Sequence, residues 1–353
     1  MNELHRSSRP IAIWLLVGVG MIMIQVLLGG ITRLTGSGLS ITEWKPILGT
    51  IPPLNEQDWQ TAFDQYKQIG QFKQLNFSFT LQDFKSIYFW EWLHRTWARL
   101  LAVAFIIPFT IFVFQKRIKK DMIYPMIILF LLGALQGIVG WIMVKSGLNQ
   151  EDVYVDHIRL ALHFIAALVL LCYAFWFALG LLFQRSRFVF DTGLRNLTSG
   201  LAILLMVQLV YGAFMAGLKA ATAAPTWPTI NGMWIPDGLG NLPGLKDLAN
   251  NPITVQFIHR TIAYLFLLLV VLWSICARSI RTSTLLNKTR ALPFIFTLIQ
   301  VLLGILTVVF SPNRTALLWF GVTHQFMAML LMLLLVWMMF VVRPRTQPVQ
   351  KQS

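Results

Sequence analysis

The chain alternates between long apolar runs and short polar connectors. No Asp, Glu, Lys or Arg occurs in about 10–32, 100–115, 122–144, 160–184, 196–218, 291–313 and 315–342. An eighth run, about 261–277, is shortened by His259 and Arg260 at its entrance. The run at 100–115 reaches span length only when extended back through Arg95 and Glu91. A helix needs about 20 residues to cross the hydrocarbon layer, so the pattern predicts eight transmembrane helices. Two of them begin with ionisable residues inside the helix. The first run continues into Gly29-Gly30-Ile31-Thr32-Arg33 with no small-residue cleavage site, so it reads as a retained helix and not a cleaved signal.

Composition agrees with an all-α integral membrane protein. Of 353 residues, 56% are hydrophobic and 12% charged, against roughly a quarter charged in soluble domains. The net charge of +15 raises the question of nucleic acid, but the basic residues fall in alternate loops. They are Arg6 and Arg9; Lys116, Arg117, Lys119 and Lys120; Arg185, Arg187 and Arg195; Arg278, Arg281, Lys288 and Arg290; Arg343, Arg345 and Lys351. This is the positive-inside distribution. It places both termini in the cytoplasm and the long first loop, about 33–88, outside, and it calls for lipid and no nucleic acid as partner. Cys172 and Cys276 lie inside apolar runs and read as core packing. No outward loop contains a cysteine.

The chain also repeats itself. Trp92-Leu93-His94-Arg95-Thr96 in span 2 is matched 165 residues later by Phe257-Ile258-His259-Arg260-Thr261 in span 6. His163 of span 4 is matched 161 residues later by His324 of span 8. Each odd span carries Gln-x-x-x-Gly: Gln25 and Gly29, Gln136 and Gly140, Gln208 and Gly212, Gln300 and Gly304. Residues i and i+4 share a helix face, and the motif reads as a site of close helix approach with an amide bonding across the interface. The expected architecture is two tandem four-helix bundles, residues 1–190 and 191–353. Four spans separate equivalent helices, so the halves share one membrane orientation and a pseudo-two-fold axis along the membrane normal.

His94, His163, His259 and His324 are intramembrane or nearly so, whereas His5 and His157 read as solvated. An ionisable residue inside a membrane is a functional candidate, although a neutral histidine bonded to a neighbouring helix is the plainer alternative. Zinc, copper and iron all take imidazole, but carboxylates and cysteines are scarce at this depth. Two histidines from facing helices suit a haem iron. Trp92, Trp97, Phe164, Phe257 and Phe326 are candidate aromatic walls. Arg95, Arg99 and Arg260 are candidate partners for haem propionates, with interfacial snorkelling as the alternative. Glu91 lies one turn before His94, and its counterpart is Gln256. That difference assigns chemistry to the first half and a permanent haem to the second, unless Glu91 simply pairs with Arg95.

Several motifs together resemble the haem A synthase family, most closely its proteobacterial and mitochondrial type. They are Thr32-Arg33-Leu34-Thr35-Gly36-Ser37-Gly38-Leu39-Ser40, Glu43-Trp44-Lys45-Pro46, Pro52-Pro53, Glu91-Trp92-Leu93-His94-Arg95 and Arg159-Leu160-Ala161-Leu162-His163. Thr226-Trp227-Pro228 with Asn231-Gly232, Gln256-Phe257-Ile258-His259-Arg260 and His324-Gln325 complete the set. The resemblance covers about residues 11–341. It implies an oxidoreductase of the inner (plasma) membrane that converts haem O to haem A for cytochrome c oxidase. A methyl group becomes a formyl group through two successive hydroxylations and loss of water, with oxygen taken from water. It further implies that His259 and His324, beside Arg260, hold a haem b cofactor. His94 and His163 then flank the iron of the substrate haem on the outer side, with Glu91 as the carboxylate needed for activity. Haem O synthase and an unidentified electron acceptor are implied partners, and a homo-oligomer is compatible with the resemblance. Ala98 stands where the family pattern has glycine, and Gly70 where it has proline. A di-haem b-type electron carrier is the main alternative function. A transporter is another, although the spans lack paired Gly/Pro interruptions.

Overall fold

The computed structural model describes residues 3–43, 48–183, 188–237, 244, 246–280 and 283–344. Trp44, Lys45 and Pro46 of the first-loop motif lie outside them, as do Arg185, Arg187, Arg281, Arg345 and Lys351 of the basic loops. The order of helices is α1 (Glu3–Leu34), α2 (Glu56–Tyr66), α3 (Gly70–Gln74), α4 (Leu81–Phe114), α5 (Lys120–Lys145), α6 (His157–Leu182), α7 (Thr192–Gly217), α8 (Ala220–Ala223), α9 (Asp247–Asn250), α10 (Pro252–Arg278), α11 (Thr284–Thr289), α12 (Leu292–Val309) and α13 (Arg314–Val341). Eight helical segments among the described residues are long and apolar enough to cross a membrane: α1, α4, α5, α6, α7, α10, α11 with α12, and α13.

Polar side chains set where several of these helices begin. Thr80 and Asp83 form a reciprocal capping box, which starts α4 ten residues before Glu91 and beyond the charge-free run. Asp156, Asp191, Asn251 and Asn313 accept backbone N–H groups at the starts of α6, α7, α10 and α13. The seventh span differs from the expected 291–313. α12 stops at Val309, before Ser311-Pro312, and α11 supplies the remaining length on the other side.

α1, α6, α7 and α13 form the centre. α1 packs on α4, α6 and α13, and α7 packs on α6, α10 and α13. α5 and α12 lie outside α6 and α13. The shared core includes Ile11, Leu168, Leu201, Trp273 and Leu335, all essentially buried. Trp273 satisfies its indole N–H on the Thr198 hydroxyl at 2.8 Å. Cys276, expected in the core, is instead exposed on α10 among Leu272 and Ile275. A two-residue parallel pairing joins β1 (Val189–Phe190) to β2 (Val342–Arg343), and Arg195 donates to the Met339 and Val342 carbonyls beside it.

The long first loop contains folded structure. Trp59, Phe63 and Tyr66 follow helical spacing along α2, which Asn55 caps. Leu39, Phe63, Tyr66, Ile69, Phe84 and Ile87 close a small second core. The Tyr66 hydroxyl donates to Gln71 at 2.9 Å and accepts from Asn76 at 2.7 Å. Burial pushes the Tyr66 phenol up to about 12. Gly70 departs from the proline of the family pattern for a visible reason. Its N–H donates to the Asn149 carbonyl at 2.7 Å, a bond that proline cannot make. A Cβ at Gly70 would lie 2.7 Å from the Asp152 carbonyl oxygen, so this cap docks directly onto the α5–α6 loop.

Candidate active site

Each intramembrane histidine meets the Gln-x-x-x-Gly face of one odd span. The Gln25 amide nitrogen lies 3.2 Å from both ring nitrogens of His94, and a Cβ at Gly29 would sit 3.1 Å from the ring carbon Cε1. Gly140 presents its bare backbone to His163, where a Cβ would come within 2.9 Å of Cε1. The Gln208 amide is 3.4 Å from His259 Nε2 and donates to the His259 carbonyl at 2.9 Å. A Cβ at Gly212 would be 3.4 Å from that ring. The Gln300 amide is 3.3 Å from His324 Nε2, and a Cβ at Gly304 would be 2.9 Å from its Cε1.

These contacts sharpen the reading of the motif. Glycine lets the imidazole lie against helix backbone, and for His94, His259 and His324 a glutamine one turn earlier reaches the ring. The amide bonds across the helix interface as expected, and its partner there is the histidine. For His324 the arrangement is complete: its Nδ1–H is positioned to donate to the Gln300 carbonyl at 3.1 Å. With Nδ1 held in this way, Nε2 is the nitrogen that a metal would take, in exchange for the Gln300 amide that meets it here. In the α5–α6 pair, His163 Nδ1 and the Gln136 amide nitrogen are buried and have no hydrogen-bond partner among the described residues.

All four histidines line one continuous cavity of about 1800 Å³. Small-molecule pockets span roughly 300–1,000 Å³, so this space suits more than one such ligand. Of the five expected aromatic walls, only Phe164 lines the cavity, alongside Trp14, Phe105 and Phe130. Trp92 and Trp97 instead donate to the Thr50 and Met21 carbonyls, each at 2.9 Å. Among the described residues, no three His, Cys, Asp or Glu side chains come together.

The residues flanking His94 and His259 hold the loops above them. Glu91 is buried: Oε1 accepts from Arg95 at 2.5 Å, and Oε2 accepts from the Ser40 hydroxyl at 2.7 Å and the Ile41 N–H at 2.9 Å. Arg95 also donates to the carbonyls of Ile41 at 2.9 Å and Glu43 at 3.3 Å. In the second half, the Gln256 amide donates to the Ala224 carbonyl at 3.0 Å. Arg260 donates to the carbonyls of Thr226 at 2.7 Å, Thr229 at 3.2 Å and Pro228 at 3.4 Å. Arg95 and Arg260 thus spend donors on loop backbone while also lining the cavity. Arg99 lines the cavity, together with three cations that sequence analysis did not single out: Arg33, Lys219 and Arg314.

The loop motifs are shaped for these clamps. Gly36, at φ +71°, ends α1 in a Schellman arrangement: Ser37 N–H donates to the Thr32 carbonyl and Gly36 N–H to the Arg33 carbonyl. The chain then doubles back so that Ser40 and Ile41 reach Glu91. Asn231 and Gly232, both at positive φ, make the tight turn of the second loop, paired through Ile230 and Met233. His157, expected in solvent, is the first residue of α6. Its Nε2 lies 3.0 Å from the Ala249 carbonyl, and its ring meets Phe214 edge-on.

The sequence profile of the COX15-CtaA family, cytochrome oxidase assembly proteins, matches residues 12–336. The chain belongs to this family. Among its relatives, the haem A synthase of Parvibaculum lavamentivorans is 40% identical over 96% of this chain and 95% of its own. That of Rhodospirillum centenum is 41% identical over 98% of this chain and 91% of its own. That of Nitrosomonas eutropha is 38% identical over 95% and 94% respectively. The COX15-CtaA match therefore reaches from the first span into the eighth and includes every histidine of the cavity.

Proposed function

We propose that the chain is a membrane oxidoreductase that converts haem O to haem A. The single observation that carries this reading is the shared cavity. Two histidine pairs line it in like cradles, and only one pair has a buried carboxylate, Glu91, on its helix. Each hydroxylation takes oxygen from water and passes two electrons and two protons to an acceptor. The resulting geminal diol loses water to give the formyl group.

His94 and His163 are the groups that receive the iron of the substrate haem. His259 and His324 fit a resident haem b, with His324 oriented through Gln300 and His259 beside Gln208 and Gly212. When bound there, haem b supplies one-electron relay between substrate and acceptor. Glu91 presents a carboxylate fixed by three donors in the wall of the first-half site. A fixed negative group stabilises positive charge growing at the methyl carbon and offers an acceptor for the released proton. Arg95, Ser40 and Ile41 hold that carboxylate in place, so ion pairing and catalysis are parts of one arrangement. Arg95, Arg99, Arg260, Arg33, Lys219 and Arg314 are the cations of the cavity wall from which propionates would take partners.

The halves 1–190 and 191–353 are read as tandem bundles about an axis along the membrane normal. The four matched histidine cradles support this. The histidines face the outer side of the inner membrane, with both termini cytoplasmic, which the alternation of basic loops supports. Haem O synthase as donor of substrate, an electron acceptor in the membrane, surrounding lipid and a homo-oligomer complete the expected partners.

Expression with a source of haem O, followed by chromatography of extracted haems, tests the activity. Haem A, with haem B retained on the purified protein, is expected. Two equivalent, permanently bound haems and no haem A would make the chain a di-haem carrier. Orientation is tested in a chain with Cys172 and Cys276 replaced by serine. An impermeant thiol reagent added outside should label Ser78→Cys, and Ser279→Cys only after lysis; both native residues are exposed. The opposite pattern inverts the topology.

A further inference from the structure

The residue after the second histidine of each pair differs between the halves. Phe164 follows His163, and Gln325 follows His324. Gln325 reaches out of its own half. Its amide nitrogen donates to the Val26 carbonyl of α1 at 3.1 Å. Its amide oxygen lies 2.2 Å from where a Cβ on Gly30 would be, so only glycine admits it there.

That turn of α1 is the one that holds His94. Gln25 and Gly29, which cradle the ring, are the immediate neighbours of Val26 and Gly30. A continuous set of contacts therefore runs from His324 through Gln325 and one turn of α1 to His94. At the positions that correspond by the sequence repeat stand Phe164 and Ala213. A phenyl ring cannot make the amide bond, and Ala213 carries the Cβ that Gly30 lacks. The link is thus built at one of two matched positions and is not a by-product of the repeat.

We propose that Gln325 is a positioning residue that couples the two histidine pairs. Displacement of His324 moves the Gln325 amide, which bears on α1 and turns the His94 ring. By linkage, a haem drawn onto His94 alters the His324 site by the same free energy. The physical warrant is contact between packed, rigid elements. The proposal rests on the haem assignment given above.

The test uses the purified holoprotein with its resident haem, titrated with haem O in detergent. Electron paramagnetic resonance of the ferric His259–His324 haem is recorded before and after. In the native chain the signal shifts when haem O binds. Q325M keeps the starting signal and haem content but loses the shift. Its affinity for haem O falls about fivefold, the low end of ordinary inter-site coupling. G30A, whose new Cβ displaces the Gln325 amide oxygen, reproduces Q325M, and the double variant is no worse than either alone. A native-sized shift in both Q325M and G30A overturns the proposal, as does a native chain that binds haem O with no shift. Absence of any b-type signal from the native chain overturns the haem assignment instead.

Discussion

The first-half and second-half sites use the same parts with opposite polarity. Each of α4 and α10 carries a histidine, an arginine after it and a polar residue three before it. In the second half, Gln256 donates to a loop carbonyl, and the site is held by neutral bonds plus Arg260. In the first half, Glu91 accepts three donors and keeps a carboxylate in the wall of the cavity. The first half also carries the folded cap built on Phe63, Tyr66 and Phe84. Loop anchoring is therefore common to both sites, whereas the carboxylate and the cap belong to one. The difference teaches that the repeated framework positions imidazoles, and that the two sites are told apart by what is not repeated.

The largest expected effect removes one site and spares the other. His259→Ala or His324→Ala leaves a haem iron one axial ligand short and should abolish the b-type absorbance of the purified protein. Full native absorbance in both variants would make the second-half assignment wrong. Next comes Glu91→Gln, which gives the first half the amide of the second. This variant should keep haem B yet lose about a hundredfold in haem A production, with haem O or a hydroxylated intermediate accumulating. Near-native haem A output would leave Glu91 as a structural partner of Arg95.

The glycines give a graded comparison within one pair. Gly304→Ala puts a Cβ 2.9 Å from His324, and Gly212→Ala puts one 3.4 Å from His259. Overpacking of this kind costs about 1–3 kcal/mol, so Gly304→Ala should lower haem B affinity about tenfold. Gly212→Ala should change it much less. Equal losses, measured as haem-to-protein ratio, would mean that ring contact does not set the position of the imidazole. The smallest effect belongs to the cap. Gly70→Ala meets backbone oxygens of Asp152 and Gln150 and should weaken cap docking by about 1–3 kcal/mol. Limited proteolysis should then cut the first loop sooner while haem B content stays native. Unchanged proteolysis would show that the cap does not depend on this contact.

The spans were legible because bilayer thickness forces long charge-free runs. Their ends were less so: the α4 start depends on the Thr80–Asp83 capping box, a local signal that the apolar pattern does not contain. α2 was overlooked although Trp59, Phe63 and Tyr66 carry a helical stripe, because a single short stripe in a polar loop competes with turn signals. The four histidines and four Gln-x-x-x-Gly motifs were both visible. Their pairing was not, since spacing along one helix does not reveal which side chain fills its groove. Arg95 and Arg260 were placed beside the site, but their carbonyl partners depend on irregular loop backbone that no periodicity encodes. His157 was misplaced for a similar reason: its partner, the Ala249 carbonyl, lies 92 residues away.

The small strand pair has a consequence for how the chain is made. Val189 and Phe190 emerge from the ribosome near mid-synthesis, yet their backbone partners are Val342 and Arg343, about 150 residues later. Loop closure over that length must wait for the last span to insert. α13 is also the helix that brings His324 and the largest buried face of any span. A chain halted after α12 would therefore lack the fourth imidazole and leave α1, α6 and α7 without the helix that packs between them. Final assembly of the cavity is an event of chain completion.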